Sequence, residues 1–332
     1  MSATIDGSLE KPTARVGVVI PCYGVGTRVL EVLARIGPEC DKIYLVDDGC
    51  PDRPGDLVKS VTVDKRVNVV VHSENQGVGA AVKTGYRLAL ADGMTVIAKI
   101  DGDGQMDPSE LGRFVAPIIS CEADYAKGNR FFDQADLQGM PLSRLLGNAM
   151  LSFLTKLSSG YWTVFDPTNG YTAIDARVLS WLPLEKIDDR FFFESDLLFR
   201  LYLMRAKVVD IPMQSKYSGE ISNLRVYRVI HEFLWKNLRN TCKRIGYRYF
   251  VRDFSIASIE LIVGIPLATF GIIFGLQAWI AGFLRNQAAT AGTIMLAALP
   301  VILGIQLLIS FLSYDIAAAP TEPIGQKLPR RS

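Results

Sequence analysis

The chain has 332 residues, with 36 Lys and Arg against 34 Asp and Glu, a formal net charge of +2. That length holds one large domain or two modest ones, and so small a charge supplies no global field for nucleic acid. Five cysteines (Cys22, Cys40, Cys50, Cys121, Cys242), an odd number with no C-x-x-C pair, argue against a disulfide framework or a zinc site and fit a reducing compartment.

Residues 1–14 form a polar tail without the apolar stretch of a signal peptide. Arg15–Pro21 has the pattern of a buried strand, Gly26–Ile36 of a helix, and Lys42–Val46 of a second strand ending at Asp47-Asp48-Gly49. Val67–Val71 is a third strand; Asn75-Gln76-Gly77 then opens a helix to about Ala91, and Thr95–Ile100 is a fourth strand. A helix from Pro108 to Ile119, a strand from Asp124 to Lys127 and a helix from Pro141 to about Ser158 follow. Gly170–Ile174 and Lys207–Ile211 are late strands with Phe193–Met204 as the helix between them. Short apolar strands alternating with helices imply an α/β fold, a mostly parallel sheet covered on both faces. Its ligands belong beyond the C-terminal strand ends, where Asp47, Asp48, Asn75, Asp101 and Asp103 all fall.

Ile221–Phe250 alternates apolar and basic residues at helical spacing, which predicts one or two amphipathic helices on an anionic leaflet. The alternative is a solvated basic face. Residues 261–284 and 286–314 carry no charged side chain, and each run exceeds the roughly 20 residues that cross a bilayer. The short link around Arg285 makes them a hairpin with both ends on one side; the alternative is a pair of buried core helices. Lys and Arg crowd the stretch between Ile221 and Asp253 and the tail Lys327–Arg331, whereas the hairpin tip has only Arg285. The positive-inside rule therefore puts the catalytic part and both termini of a multi-pass inner-membrane protein in the cytoplasm. The expected divisions are 1–14, a catalytic domain at 15–220, basic juxtamembrane helices at 221–253, the hairpin at 254–315, and a tail at 316–332.

The most informative stretch is Asp101-Gly102-Asp103-Gly104-Gln105, directly after the fourth strand. Two carboxylates two residues apart offer hard oxygens that hold Mg²⁺ or Mn²⁺ against phosphate oxygens, and glycines allow the close approach a diphosphate needs. Alone, the pattern also fits a solvated acidic loop.

Together with Val18–Tyr23, Val46-Asp47-Asp48-Gly49, Asn75-Gln76-Gly77 and Asp166–Tyr171, this loop resembles glycosyltransferase family 2, with its GT-A fold, over about Arg15 to Ile211. Gly128-Asn129-Arg130, Ser143-Arg144 with Asn148, and the hairpin resemble the polyprenyl-phosphate branch, relatives of dolichol-phosphate mannose synthase. One departure is that Gly24 and Val25 stand where the family often has Asn and an acid, which bears on nucleotide contacts of that loop.

The resemblance implies roles. Pro21, Tyr23, Asp47, Asp48, Asn75, Gly77, Asp101 and Asp166 would line the nucleotide-sugar site, with Asp48 on the base or ribose. Asp101, Asp103 and Gln105 would hold the metal. Arg130 and Arg144, with Asn148 beside them, would grip an acceptor phosphate; arginine suits this because its fork binds phosphate bidentately and stays charged. Glu194 and Asp196 fall where the family has its acidic catalytic motif, and Asp103, Arg130, Arg144 and Asp196 would carry catalysis.

Plainer readings stand beside these. A lone arginine is usually a surface charge, Glu194 and Asp196 also suit a helix start, and Asp166 also suits a turn before Pro167. His72 is expected to be structural and His231 interfacial. Gly24-Val25-Gly26-Thr27-Arg28 resembles the nucleotidyltransferase loop but lacks its lysine, and it has no G-x-G-x-x-G extension.

The expected activity is membrane-bound, inverting and metal-dependent: a hexosyltransferase moving a sugar from a nucleotide diphosphate sugar to a polyprenyl phosphate for cell-envelope glycans. The partners are the donor, the lipid and the membrane, with no nucleic acid; the hairpin also offers a homo-oligomer surface. The alternative acceptor is a hydroxyl of a lipid-linked oligosaccharide or polysaccharide, with Asp196 as general base, although a Q-x-x-R-W motif is absent. A non-catalytic membrane scaffold is a third reading, which the intact acidic loop opposes.

Overall fold

The computed structural model describes residues 14–132, 142–214, 226–329 and 331, with the side chains of 142–146, 148 and 226–230 outside that description. Seven strands form one sheet in the order β3-β2-β1-β4-β6-β5-β7. They are β1 (Val16–Cys22), β2 (Lys42–Asp47), β3 (Val67–Val71), β4 (Val96–Lys99), β5 (Tyr125–Asn129), β6 (Thr172–Asp175) and β7 (Val208–Pro212). Every pairing is parallel except those of β6, which runs antiparallel between β4 and β5. The register sets Thr172 opposite both Lys99 and Lys127. The chain entering β6 therefore arrives at the edge where β4 and β5 end.

Side chains of successive strand residues point to opposite faces. Val18 and Ile20 join one apolar cluster, Val19 the other. The first cluster packs under α1 (Arg28–Ala34), α2 (Pro54–Val61) and α4 (Leu111–Ile119); the second under α3 (Val78–Ala91), α6 (Ala176–Trp181) and α7 (Phe193–Met204). The helices α2 and α6 were not expected: each is only 8 and 6 residues long, too short for a periodic pattern to declare itself. The order also reverses between β1 and β4, and that crevice is where open α/β sheets bind ligands.

The remaining helices are α5 (Leu142–Ser159), α8 (Val226–Gly246), α9 (Ile256–Arg285) and α10 (Ala291–Ala317), with a π-helical turn at Tyr247–Arg252. Helix α8 does not lie with its whole basic face open. Asn237, Asn240 and Arg244 are buried, whereas Leu234, Trp235 and Leu238 are exposed. These three polar residues face the protein and these three apolar ones face out, while Arg239 and Lys243 stay exposed.

Helices α9 and α10 pack along each other at small residues. A Cβ on Gly304 would stand 2.5 Å from the Ala268 nitrogen, and one on Gly271 2.7 Å from the Ala297 carbonyl oxygen. Such contacts let two backbones approach closely in lipid. At 30 and 27 residues both exceed the length that spans a hydrocarbon core. Only 22% and 11% of their most apolar stretches are buried, so neither is a core helix of the described fold.

Candidate active site

The acidic loop leaves β4 at Lys99, whose side chain is 1% exposed and stands 2.9 Å from both Asp101 Oδ1 and Glu194 Oε1. Burial alone would push the lysine's pKa down, but the two carboxylates more than offset this and hold it above the ordinary lysine value. Lys99 is thus a fixed cation that orients Asp101 and ties α7 to β4. The other Asp101 oxygen faces Gly170, where a Cβ would sit 2.1 Å from it. Only glycine fits between the acidic loop and the strand beside it. Gly102 abuts Cys22 at the end of β1, where an added Cβ would be 3.1 Å from the sulfur.

Asp103 Oδ1 accepts from the Gln105 amide at 3.0 Å, and Gly104 between them has φ +78°. That turn keeps Asp103 and Gln105 on one short loop, both partly exposed. Two carboxylates and an amide oxygen are hard donors that fit Mg²⁺ or Mn²⁺. Among the described residues no group of three or more His, Cys, Asp or Glu side chains gathers for a metal. Phosphate oxygens and water would complete a shell here, as Mg²⁺ tolerates.

Across the sheet, Pro21 is buried at the end of β1 and Tyr23 is 55% exposed beyond it. Asp47 accepts from the amides of Cys50 (2.9 Å) and Gly55 (3.0 Å). Asp48 accepts from the amides of Gln76 (3.0 Å) and Gly77 (2.7 Å) and lies 2.7 Å from His72 Nδ1. Both aspartates are 2% exposed. They organise the loops that follow β2 and β3, and Asn75 is left exposed on the turn they hold. His72 bridges Asp48 and Thr84.

Arg130 follows β5 and meets Asp166 as a two-pronged pair: Nε donates to Oδ2 at 2.7 Å and Nη2 to Oδ1 at 3.0 Å. Asp166 is 1% exposed and also accepts from Asn169 Nδ2 at 3.2 Å. It is therefore the mount of Arg130. The segment Asp166–Gly170 joins the two halves, touching Arg130 at one end and Asp101 at the other. Lys127, fully buried, donates to the Asn169 carbonyl at 2.5 Å and fixes that segment from below. Burial pushes its pKa down to about 8, partly offset by Glu194 and Asp166. Arg144 and Asn148 lie four residues apart in the first turns of α5, on one face by helical spacing; their side chains lie outside the described residues.

Asp196 has a different setting from the base expected of it. It is 3% exposed. Oδ1 accepts from Asn240 Nδ2 at 2.9 Å; Oδ2 accepts from the Asp188 amide at 3.2 Å and from Arg200 Nη2 at 3.1 Å. Oδ1 thus joins α7 to α8, and Oδ2 is engaged within α7 and the loop before it. Sequence reasoning missed Lys99 and Lys127 altogether. The available signal was a lysine inside an otherwise apolar strand, Val96-Ile97-Ala98-Lys99-Ile100, and again in Tyr125-Ala126-Lys127; a lysine goes into a sheet only with partners waiting.

The model of the family described as glycosyl transferase family 2 matches residues 17–181. Polyprenol monophosphomannose synthase of Mycolicibacterium smegmatis is 29% identical over 233 residues, 66% of this chain and 86% of the relative. Undecaprenyl-phosphate mannosyltransferase of Micrococcus luteus is 29% identical over 241 residues, 68% of this chain and 98% of the relative. An uncharacterized protein of Methanocaldococcus jannaschii is 30% identical over 217 residues, 65% of this chain and 87% of the relative. Among solved structures, glucosyl-3-phosphoglycerate synthase from Mycobacterium tuberculosis, in complex with Mn²⁺, UDP and glucosyl-3-phosphoglycerate, superposes with a TM-score of 0.52 at 15% identity, covering 70% of this chain and 81% of the other. That likeness concerns the fold, the GT-A sheet with its mixed strand.

Proposed function

The chain belongs to glycosyltransferase family 2, and from that premise we propose that it moves one sugar from a nucleotide diphosphate sugar to a polyprenyl phosphate, with inversion at the anomeric carbon. The observation that carries this reading is the Asp166–Gly170 segment. It ties a hard-oxygen acidic loop to a mounted arginine at one sheet edge, in a chain that continues into an apolar hairpin.

Asp103 and Gln105, with Asp101, would hold Mg²⁺ or Mn²⁺, which supplies Lewis-acid stabilisation of the charge that grows on the departing diphosphate. Lys99 holds Asp101 in place. Tyr23 and the Asn75 turn, shaped by Asp48, border the nucleotide. Arg130, oriented by Asp166, and Arg144 with Asn148 grip the acceptor phosphate. A phosphate monoester has its second pKa near 6, so the acceptor arrives ionised and needs orientation more than a base. A hydroxyl acceptor would need one, and Asp196, buried with both oxygens engaged, is poorly set for that task.

The hairpin would sit in the inner membrane, with the catalytic domain and both termini cytoplasmic. The distribution of Lys and Arg supports this. So does the tail: Ile324 and Gly325 donate their amides to Asp124 of the catalytic domain at 2.9 and 2.7 Å. The chain that leaves α10 therefore returns to the side from which α9 set out.

The test is to incubate the purified full chain, Mg²⁺ or Mn²⁺ and polyprenyl phosphate with a panel of nucleotide sugars, and to look for a charged glycolipid. Product should require both metal and lipid phosphate. Asp103→Ala should lower turnover by about 100-fold or more and weaken Mn²⁺ binding measured by electron paramagnetic resonance. Undiminished transfer in EDTA, or transfer to hydroxyl acceptors alone, would overturn the reading.

A further inference from the structure

Away from the acidic loop, a cavity of about 580 Å³ opens between α7 and α8, lined by Lys186, Phe199, Arg200, Leu203, Arg239, Lys243 and Tyr247. Four of these seven residues are cationic and none is acidic. Trp235, Arg239 and Lys243 of α8 and Tyr247 at the start of the π-helical turn recur every four residues, so they form one ridge with an aromatic at each end. Arg239 and Lys243 are exposed. On the opposite wall Arg200 is set by its bonds to Asp196 and to the Lys186 carbonyl.

The position of this cavity decides what would fill it. Tyr247 begins the π-helical turn that leads into α9. Arg252, in that turn, donates to the carbonyl of Leu203, a lining residue, at 3.0 Å. In the turn Phe250 and Val251 are 44% and 74% exposed, and Phe254 between it and the hairpin is 66% exposed. Trp and Tyr flanking cations beside an apolar span is the composition of a membrane interface. A soluble anion gains nothing from Leu203 and Tyr247, whereas the glycerol and upper acyl carbons of a lipid would cover them.

We propose that this groove is a headgroup site for an anionic membrane phospholipid. Arg239 and Lys243 hold the phosphate from one wall, Lys186 and Arg200 from the other. The site is separate from the acceptor grip at Arg130 and rests on the hairpin lying in a bilayer, not on the transfer reaction. Its occupation would fix the rotation of α8, and with it the Asn240–Asp196 bond to α7, against the bilayer plane.

The experiment uses the full chain in neutral detergent, titrated with dioleoyl phosphatidylglycerol, dioleoyl phosphatidylcholine or sodium phosphate, with bound lipid read by native mass spectrometry. Phosphatidylglycerol should be retained saturably and in preference to phosphatidylcholine. A cation near a charged lipid surface contributes roughly five-fold in binding, so Arg239→Gln with Lys243→Gln should weaken retention by about 25-fold at an unchanged melting temperature. Arg239→Gln alone should weaken it by about five-fold, which keeps the test open if the double variant fails to fold. Equal retention of the two lipids, undiminished binding by the variants, or displacement of phosphatidylglycerol by millimolar phosphate would each overturn the headgroup site.

Discussion

Lys127 illustrates how much a single buried charge shapes this site. Its amine reaches the Asn169 carbonyl through a fully buried path, and burial lowers its pKa from the ordinary 10.5 to about 8. Below pH 8 the folded and unfolded chains both carry the proton, and the folded state bears the full cost of a buried ammonium, about 3 kcal/mol. Between pH 8 and 10.5 the folded chain holds fewer protons than the unfolded one, so stability rises with pH. Lys127→Met removes the titration. The wild type should therefore gain about 3 kcal/mol on the variant between pH 8 and 10.5, measured by urea unfolding at both ends. A gap independent of pH would mean that the lysine is not held as described. Lys99, equally buried, behaves oppositely because two carboxylates meet it; the same residue type in the two strands that flank β6 has opposite charge preferences, set by neighbours from other parts of the chain.

Among the elements, α8 departs furthest from its pattern. Its alternation of apolar and basic residues fits an amphipathic helix with the apolar stripe on a leaflet and the basic residues in solvent. Instead Arg244, 0% exposed, donates to Asp315 Oδ1 at 2.6 Å and Oδ2 at 2.9 Å, and Tyr249 and Trp162 donate to the same carboxylate. This pair joins α8 to the end of α10, with the Leu157 carbonyl of α5 accepting from the same guanidinium at 3.0 Å. A buried pair contributes little net stability over an apolar substitute, but losing one partner strands the other charge. Asp315→Ala should destabilise the chain by about 3–5 kcal/mol, read as thermal unfolding in detergent. Combining it with Arg244→Met should recover most of that loss. A double variant that loses the sum of the two single losses would show that the two groups are not coupled.

At the scale of the whole molecule, the segment after α10 closes the chain back onto the catalytic domain. Ile324 and Leu328 pack against the second core cluster, the amides of Ile324 and Gly325 bind Asp124, and Arg331 lies 4.0 Å above the Trp181 ring. Hydrogen bonds to a charged group contribute about 1.5–3 kcal/mol each. Removing residues 320–332 should therefore cost roughly 3 kcal/mol and lower the melting temperature, while Asp124→Ala in the full chain should lose a similar amount. An unchanged melting temperature in both would mean that the tail only rests on the surface.

The strands, the acidic loop and the two uncharged runs were legible because each is set by neighbours close in sequence: alternating burial in a strand, glycines and carboxylates in a turn, twenty or more apolar residues for a bilayer. Five motifs in one order made the family legible as well. What the tertiary structure alone decided is which distant groups meet. Asp166 belongs to Arg130, Asp196 to Asn240 and Arg200, and Arg244 to Asp315 across 71 residues of chain. A charged side chain carries no local mark of its partner. The pairing follows from desolvation and geometry, which exist only once β6 has slipped between β4 and β5 and α8 has docked on α7.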